Sequence, residues 1–303
     1  MKRIISSMIG ACVLCCGMLQ AQTLPSLLVG SDAAGAGKAQ TTVAAPATAF
    51  ALENNTAAMA LGESKVQAGV SYGIWQPSYS KDNVIGAGAT AKFGSKFAVG
   101  LSFKKFGMPS YETINSDGQI GDTFTPGELS AGIGAAYSIT DWLSVGVTGK
   151  MTNSKLAENA SANVFGADAA LYFKKDALSA GLSVNNIGGK VNYGGADYDQ
   201  PMLARLGAAY RFGNPEASSV TPSVEADVLF KGGFMAGVGV EYSFKDMLFA
   251  RGGFHYGEKE KAIPTYASLG LGVKFFGVTL DVAYLTASDV LGNSLSLGLG
   301  YRF

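Results

Sequence analysis

The chain has 303 residues, of which 23 are basic and 23 are acidic, so its formal net charge is zero. Charged residues make up 15% of it, below the roughly 25% of an average soluble domain. Because it has no basic block, it lacks the positive surface that phosphate backbones require, and nucleic acid is not an expected partner. Beyond the N-terminus, no apolar run approaches the roughly 18 to 20 residues of a spanning helix, which excludes a helical membrane protein.

Residues 1–21 have the pattern of a secretory signal peptide. Lys2 and Arg3 precede an apolar stretch from Ile4 to Leu19, and the small residue Ala21 ends a cleavable junction. The mature chain is therefore expected to begin at residue 22. All three cysteines lie inside the signal, so the mature chain would contain no disulfide, thiolate nucleophile or zinc-thiolate site.

Residues 22–64 are rich in alanine and glycine and lack the alternation found in the rest of the chain. We expect this segment to be an N-terminal plug inside the lumen of a barrel. The stretch from Thr48 to Leu61 predicts a short helix, in which Phe50, Leu52 and Met59 would pack against the wall. The alternative is a flexible periplasmic extension.

Residues 65–303 alternate between large apolar residues and small or polar ones, which is the period of a β-strand with two different faces. The first apolar row is Val66, Ala68, Val70, Tyr72 and Ile74. Counting such rows gives about 14 strands, an even number, as closed bacterial outer-membrane barrels have. The fold class predicted is therefore all-β: a transmembrane antiparallel β-barrel with an N-terminal luminal plug.

The links between the predicted strands alternate in length, as the periplasmic turns and outer loops of such a barrel do. Aromatic residues cluster at the strand ends, where they would form girdles at the two membrane interfaces. Two links break the alternation, since Gly213 to Ser219 is long for a turn and Lys231 to Gly233 is short for an outer loop. The predicted longer links are Gly107 to Gly127, Thr152 to Ser161, Asn186 to Pro201 and Gly257 to Pro264.

Charged residues occur on the inward phase of the strands, where a polar lumen tolerates them. On the lipid face, a midplane Arg or Lys would cost about 2 to 4 kcal/mol. Both signs are present, so these residues predict either structural ion networks or a selectivity or substrate site in the lumen. The candidate residues are Arg205, Arg211, Glu225, Asp227, Glu241, Arg251 and Asp281.

The residues needed for catalysis are scarce. His255 is the single histidine, which excludes a multi-histidine metal site. Glu225 and Asp227 share one strand face, as a general acid and base would, but no segment predicts a substrate cleft beside them. We therefore expect no catalytic residue, no metal and no cofactor, and the protein is not expected to be an enzyme.

Two segments carry a resemblance to a known family. Leu27 to Gly37 reads LLVGSDAAGAG, and Asn186-Ile187-Gly188-Gly189 is followed by PMLARLGAAY from Pro201 to Tyr210. Together they resemble the PorV/PorQ family within the FadL-like group of outer-membrane transport barrels. The resemblance implies fourteen strands and an N-terminal segment within the lumen. Where the family often has Asn-Pro-Ala in the plug, this chain has Asn55-Thr56-Ala57, and the resemblance implies a plug or ligand role for Asn55.

The resemblance also implies a function in the outer membrane. Members of this group move hydrophobic small molecules or, for PorV, act in the type IX secretion pathway of Bacteroidetes. The expected partners are outer-membrane lipid, a hydrophobic small molecule, and secretion-system or other envelope proteins. Two alternatives remain open: a general diffusion porin, and a structural barrel that binds partners through its outer loops, especially Gly107 to Gly127 with Tyr111 and Phe124.

Overall fold

The computed structural model describes residues 24–114, 118–258 and 261–303, which form a barrel around an N-terminal segment. The predicted signal peptide, residues 1–21, lies outside the described residues. No helix in the described part of the chain has the length and hydropathy needed to cross a membrane.

Strands account for most of the chain from Val66 onward. Their bounds are β1 Val66–Trp75, β2 Asp82–Phe93, β3 Phe97–Gly107, β4 Tyr111–Ile114, β5 Ile120–Phe124, β6 Gly127–Thr140, β7 Leu143–Ala157, β8 Ala160–Lys175, β9 Leu178–Gly188, β10 Val191–Asn192, β11 Asp197–Tyr198, β12 Leu203–Tyr210, β13 Phe212–Asn214, β14 Ser218–Leu229, β15 Phe234–Phe244, β16 Leu248–Gly257, β17 Tyr266–Phe275, β18 Val278–Thr286 and β19 Ser294–Arg302.

The barrel is closed by pairing of its first strand with its last. Each barrel strand is antiparallel to its neighbours, and β1 pairs with β19 in the register Val70 to Leu299. The sheet contains 15 strands, but β13 continues β12 after Arg211, so the barrel has fourteen strand positions. The hairpins β4–β5 and β10–β11 are separate two-stranded sheets in the outer loops. The predicted fold class is therefore confirmed.

The exterior of the barrel is apolar. Outward side chains at mid-strand, such as Val70, Leu271 and Leu299, are 52%, 63% and 46% exposed. Neighbouring strands bring these rows side by side, as in the pairs Val70 to Leu299 and Leu271 to Val282. A continuous apolar surface of this kind is stable in hydrocarbon, whereas in water it would promote aggregation.

The links differ from the sequence-based expectation in two places. The predicted longer link from Thr152 to Ser161 is strand, because β7 and β8 stay paired up to Ala157 and Ala160. Most of its residues are polar, which interrupts the apolar alternation that marks the other strands. The link predicted to be long, Gly213 to Ser219, is a short turn, because β13 and β14 pair up to Asn214 and Ser218.

Residues 24–62 fill the lumen as a plug made of short helices. These are the 3-10 helix Pro25–Leu27, the α-helix Ala33–Ala36, the α-helix Ala51–Asn54 and the 3-10 helix Thr56–Leu61. The single helix predicted from Thr48 to Leu61 is therefore wrong. Asn55 is extended, with φ −164° and ψ 105°, and its Oδ1 accepts from the Ala57 amide at 3.0 Å, so it ends one helix and caps the next.

Glycines on the inner face of the wall let the plug backbone approach the strands. A Cβ on Gly181 would overlap the carbonyl oxygen of Val43, and one on Gly88 would overlap that of Ala49. The chain contains 41 glycines. Those on the inner phase that contact the plug are required by its close packing rather than by an open lumen.

We expect a charge on the lipid face to destabilise the barrel in a depth-dependent way. Leu271→Lys places an ammonium at the middle of β17, and it should cost about 2 to 4 kcal/mol of unfolding free energy. The control is Phe276→Lys, in an exposed turn at the barrel rim, where the cost should be about 0 to 1 kcal/mol. Denaturant titration of refolding into phospholipid vesicles measures both, and equal losses would contradict the assignment of depth.

Candidate functional site in the lumen

Arg205 on β12 holds the plug against the wall. Its guanidinium donates from Nε to Glu225 Oε1 at 2.9 Å, and Nη2 contacts the same oxygen. Nη1 donates to the backbone carbonyls of Glu53 and Asn54, each at 3.1 Å, and Nη2 donates to Thr42 Oγ1 at 2.8 Å. One buried side chain therefore joins two strands of the barrel to two separate parts of the plug.

Glu225 on β14 completes this contact from the other side. Its Oε2 accepts the backbone N–H groups of Thr42 and Val43 at 2.7 and 2.8 Å. Glu225 is 7% exposed. Removing one partner from such a buried, fully bonded pair would leave an uncompensated charge. We call Arg205 and Glu225 the plug clamp.

A second ion network lies on the neighbouring strands β15, β16 and β18. Arg251 on β16 donates from Nε to Glu241 Oε2 and from Nη1 to Asp281 Oδ1, both at 2.6 Å. The guanidinium reaches β18 across Gly272 of β17, where a Cβ would overlap Asp281 Oδ1 and crowd Arg251 Nη1. This network ties β15, β16 and β18 together on their inner face.

Arg211 is not part of either network. It lies between β12 and β13 at the turn end of the barrel, and it forms none of the ion pairs found among residues 24–114, 118–258 and 261–303. There its positive charge is close enough to lower the pKa of the Glu63 carboxyl. A hydrogen bond and the charge of Lys174 hold the pKa of Glu63 below its ordinary value, and Arg211 adds a smaller effect.

Two further lysine pairs were not among the predicted site residues. Lys104 Nζ donates to Val29 O at 2.9 Å and to Glu53 Oε2 at 3.3 Å. Lys150 Nζ donates to Asp168 Oδ1 at 2.7 Å. The inward phase places both lysines in the lumen, but nothing in the local sequence indicates that Glu53, far away in the plug, is the partner of Lys104.

The predicted plug residues are all buried. Phe50, Leu52, Asn55 and Met59 are 7%, 3%, 3% and 3% exposed. Leu52 and Met59 share a cluster of small apolar residues from the plug and the wall. Asn55 Nδ2 donates to the carbonyls of Val43 and Leu171 at 2.7 and 3.0 Å, so Asn55 bridges plug and barrel.

A cavity of about 110 Å³ remains between the plug and the wall, towards the outer loops. We call it the luminal cavity. Lys104, Lys150 and Arg205 lie on its polar side, and Leu28, Leu203 and Met235 contribute apolar surface. Two larger depressions, of about 680 and 570 Å³, lie on the apolar exterior of the barrel, where lipid would cover them.

We expect Arg205→Gln to loosen the plug, because Glu225 would remain buried without its cation. Breaking one partner of a buried pair typically costs about 3 to 5 kcal/mol. Hydrogen exchange followed by mass spectrometry should show faster exchange in peptides covering Thr42 and Val43. Arg211→Gln is the control and should leave that exchange unchanged. The clamp assignment fails if the two variants protect the plug equally.

Several solved outer-membrane channels are similar to this fold. The Ralstonia pickettii toluene transporter TbuX matches with a TM-score of 0.62 at 14% identity, covering 91% of this chain and 99% of that one. The CymD monoaromatic hydrocarbon channel matches with a TM-score of 0.63 at 13% identity, covering 91% and 98%. A Pseudomonas aeruginosa FadL homologue matches with a TM-score of 0.57 at 16% identity, covering 90% and 98%. At these identities the similarity extends to the fold alone.

Sequence comparison identifies the family. No curated protein matches the chain in sequence. The family model described as type IX secretion system protein PorV matches residues 19–232, which is more than half of the chain. The closed barrel with its apolar exterior agrees with this match, and it locates the protein in the outer membrane. The chain therefore belongs to the PorV family of outer-membrane β-barrel proteins.

Proposed function

We propose that this protein is a plugged outer-membrane component of type IX secretion, which acts through its outer surface rather than through an open lumen. The match to the PorV family over residues 19–232 carries this proposal. The geometry supports it, since the plug clamp and the glycine-lined wall hold the N-terminal segment tightly inside the barrel.

The filled lumen argues against a general diffusion porin. A porin of this strand number would have a wide aqueous channel. Here the plug packs against the wall with its own backbone, and the luminal cavity measures only about 110 Å³. Small ions and solutes would therefore have no wide route through the barrel unless the plug moved.

The hairpin β4–β5 supplies a surface on which partners would dock. Ile114 and Ile120 are 74% and 72% exposed, well beyond the end of β3. The rings of Tyr111 and Phe124 contact each other across the hairpin at 5.6 Å and stiffen its base. Large apolar side chains held outside the membrane are typical of protein interaction surfaces.

Movement of a small hydrophobic molecule is the second candidate. The apolar side of the luminal cavity, with Leu28, Leu203 and Met235, favours it. The charged side chains on the opposite wall favour it less, because an apolar ligand would displace water from these ion pairs without forming a hydrogen bond to them. Uptake of toluene by cells that carry the protein, compared with cells that lack it, separates this candidate from the secretion role.

The secretion role is tested by replacing residues 110–125 with a short Gly-Ser linker. We expect substrates of the type IX pathway to accumulate in the periplasm, while the barrel still folds and the outer membrane stays intact. Proteomics of the culture medium and the periplasm measures the effect. The control variant shortens the loop Phe230–Gly233, which is already short, and should secrete normally. Normal secretion by the hairpin variant would refute the docking role of the hairpin.

Conductance tests whether the plug closes the lumen. The complete chain should conduct poorly in planar bilayers, and removing residues 22–63 should raise single-channel conductance several-fold, because the inner wall would then enclose water. Arg211→Gln, which leaves the plug clamp intact, should conduct like the unmodified protein. Unchanged conductance after removal of the segment would show that it does not block the lumen.

A further inference from the structure

Basic side chains are concentrated at the end of the barrel that carries the short turns. In outer-membrane barrels this end faces the periplasm. Each of these residues lies within one position of a strand end, and together they come from strands all around the barrel. They are Lys65, Lys92, Lys174, Arg211, Lys274 and Arg302. We call them the basic mouth.

The strand phase directs these cations into the barrel rather than into lipid. Phe93 and Phe275 are 58% and 62% exposed and end the outward rows of β2 and β17. Since successive residues of a strand point to opposite faces, Lys92 and Lys274 lie on the inner side. The aromatic girdle therefore separates the basic mouth from the lipid headgroups, and the cations face the aqueous periplasm.

A carboxylate is already bound among these cations at the end of the plug. Lys174 Nζ donates to Glu63 Oε1 at 2.9 Å. This hydrogen bond and the charge of Lys174 lower the pKa of Glu63, and the charges of Arg211 and Arg302 lower it further. The Glu63 side chain is 82% exposed, so water screens its ion pair and another carboxylate can replace it on Lys174.

The carboxylates within the basic mouth do not balance its positive charge. Among residues 24–114, 118–258 and 261–303, its ion pairs are made with Glu63 and with Asp246, and Asp246 is shared by Lys274 and Arg302. Three members pair with no carboxylate in this part of the chain: Lys65, Lys92 and Arg211. Six cations thus face two carboxylates, which leaves an excess of four positive charges.

Neighbouring carboxylates do not remove this excess. The surrounding turns carry both signs equally, with Lys96, Lys175 and Lys245 beside Asp141, Asp176 and Glu216. Deeper in the lumen, the carboxylate of Glu241 is bound by Arg251 at 2.6 Å. The chain as a whole has no net charge, so the positive charge of the basic mouth results from the placement of these residues and not from a basic composition.

We propose that the basic mouth binds an acidic segment of a periplasmic protein. A rim of one charge sign with low-dielectric walls attracts partners of the opposite sign. A single small anion would contact one or two of the cations, whereas a chain with several carboxylates reaches cations on several strands. Its carboxylates would replace Glu63 on Lys174 and meet the unpaired Lys65 and Arg211. This surface is separate from the hairpin β4–β5, and it does not depend on the secretion role.

Fluorescence anisotropy tests the site, with labelled hexaglutamate as the probe and the complete chain in an uncharged detergent. We expect saturable binding at low salt, none of hexaglutamine, and about tenfold or weaker binding at roughly 0.5 M NaCl, because salt screens exposed charges. Lys65→Gln combined with Arg211→Gln removes two cations without breaking an ion pair, and it should weaken binding about tenfold or more. The matched control is Lys155→Gln combined with Lys190→Gln, which removes two exposed lysines at the outer end and should bind normally.

Glu63→Gln gives a change in the opposite direction, which a damaged barrel would not produce. It frees Lys174 and removes a negative charge, so hexaglutamate should bind several-fold more tightly. Equal losses in the two double variants, full affinity without Lys65 and Arg211, or weaker binding in Glu63→Gln would each overturn the proposal. Displacement by inorganic phosphate at the same total negative charge would identify a simple anion site instead. Displacement by phosphatidylglycerol added to the micelles would identify a lipid headgroup site.

Discussion

The close approach between the plug backbone and a wall without side chains is the constraint on which the rest of the structure depends. Gly88, Gly146 and Gly181 each stand where a Cβ would overlap backbone atoms of the plug. In the same strands, the residues that alternate with these glycines point to the outer face and carry apolar side chains. One alternating pattern thus satisfies both the membrane outside and the plug inside.

Buried ion pairs determine where the packed segments lie relative to one another. A buried pair adds little net stability over an apolar contact of the same shape, but losing one partner is costly, because the other charge stays buried. The plug clamp therefore specifies where Thr42 and Val43 sit more than how stable the barrel is. The network of Arg251 has the same effect within the wall, since it fixes β15, β16 and β18 relative to one another.

Much of the barrel could be predicted from the sequence, because outward and inward residues differ in kind at every second position. The strand ends were harder to predict, since β7 and β8 stay paired up to Ala157 and Ala160 through mostly polar residues that lack the apolar alternation. The plug was predicted as a segment but not in its internal structure, because a single extended residue, Asn55, divides what reads as one helix.

Among the predicted luminal residues, Arg205 and Glu225 meet in the clamp and Arg251 meets Glu241 and Asp281, whereas Arg211 stays apart at the rim. The partners of Lys104 and Arg205 in the plug depend on contacts between distant parts of the chain, which periodicity does not encode.

The seam between β1 and β19 has a consequence for how the protein is made. The plug is synthesised before every strand that surrounds it, and its Ala39 amide donates to Ser268 Oγ, 229 residues later in the chain. The cylinder must therefore assemble around a segment that is already present, and its last hydrogen bonds form only when the two ends of the sheet meet. Contacts between such distant residues make folding slow, and until the seam closes both terminal strands expose unpaired edges.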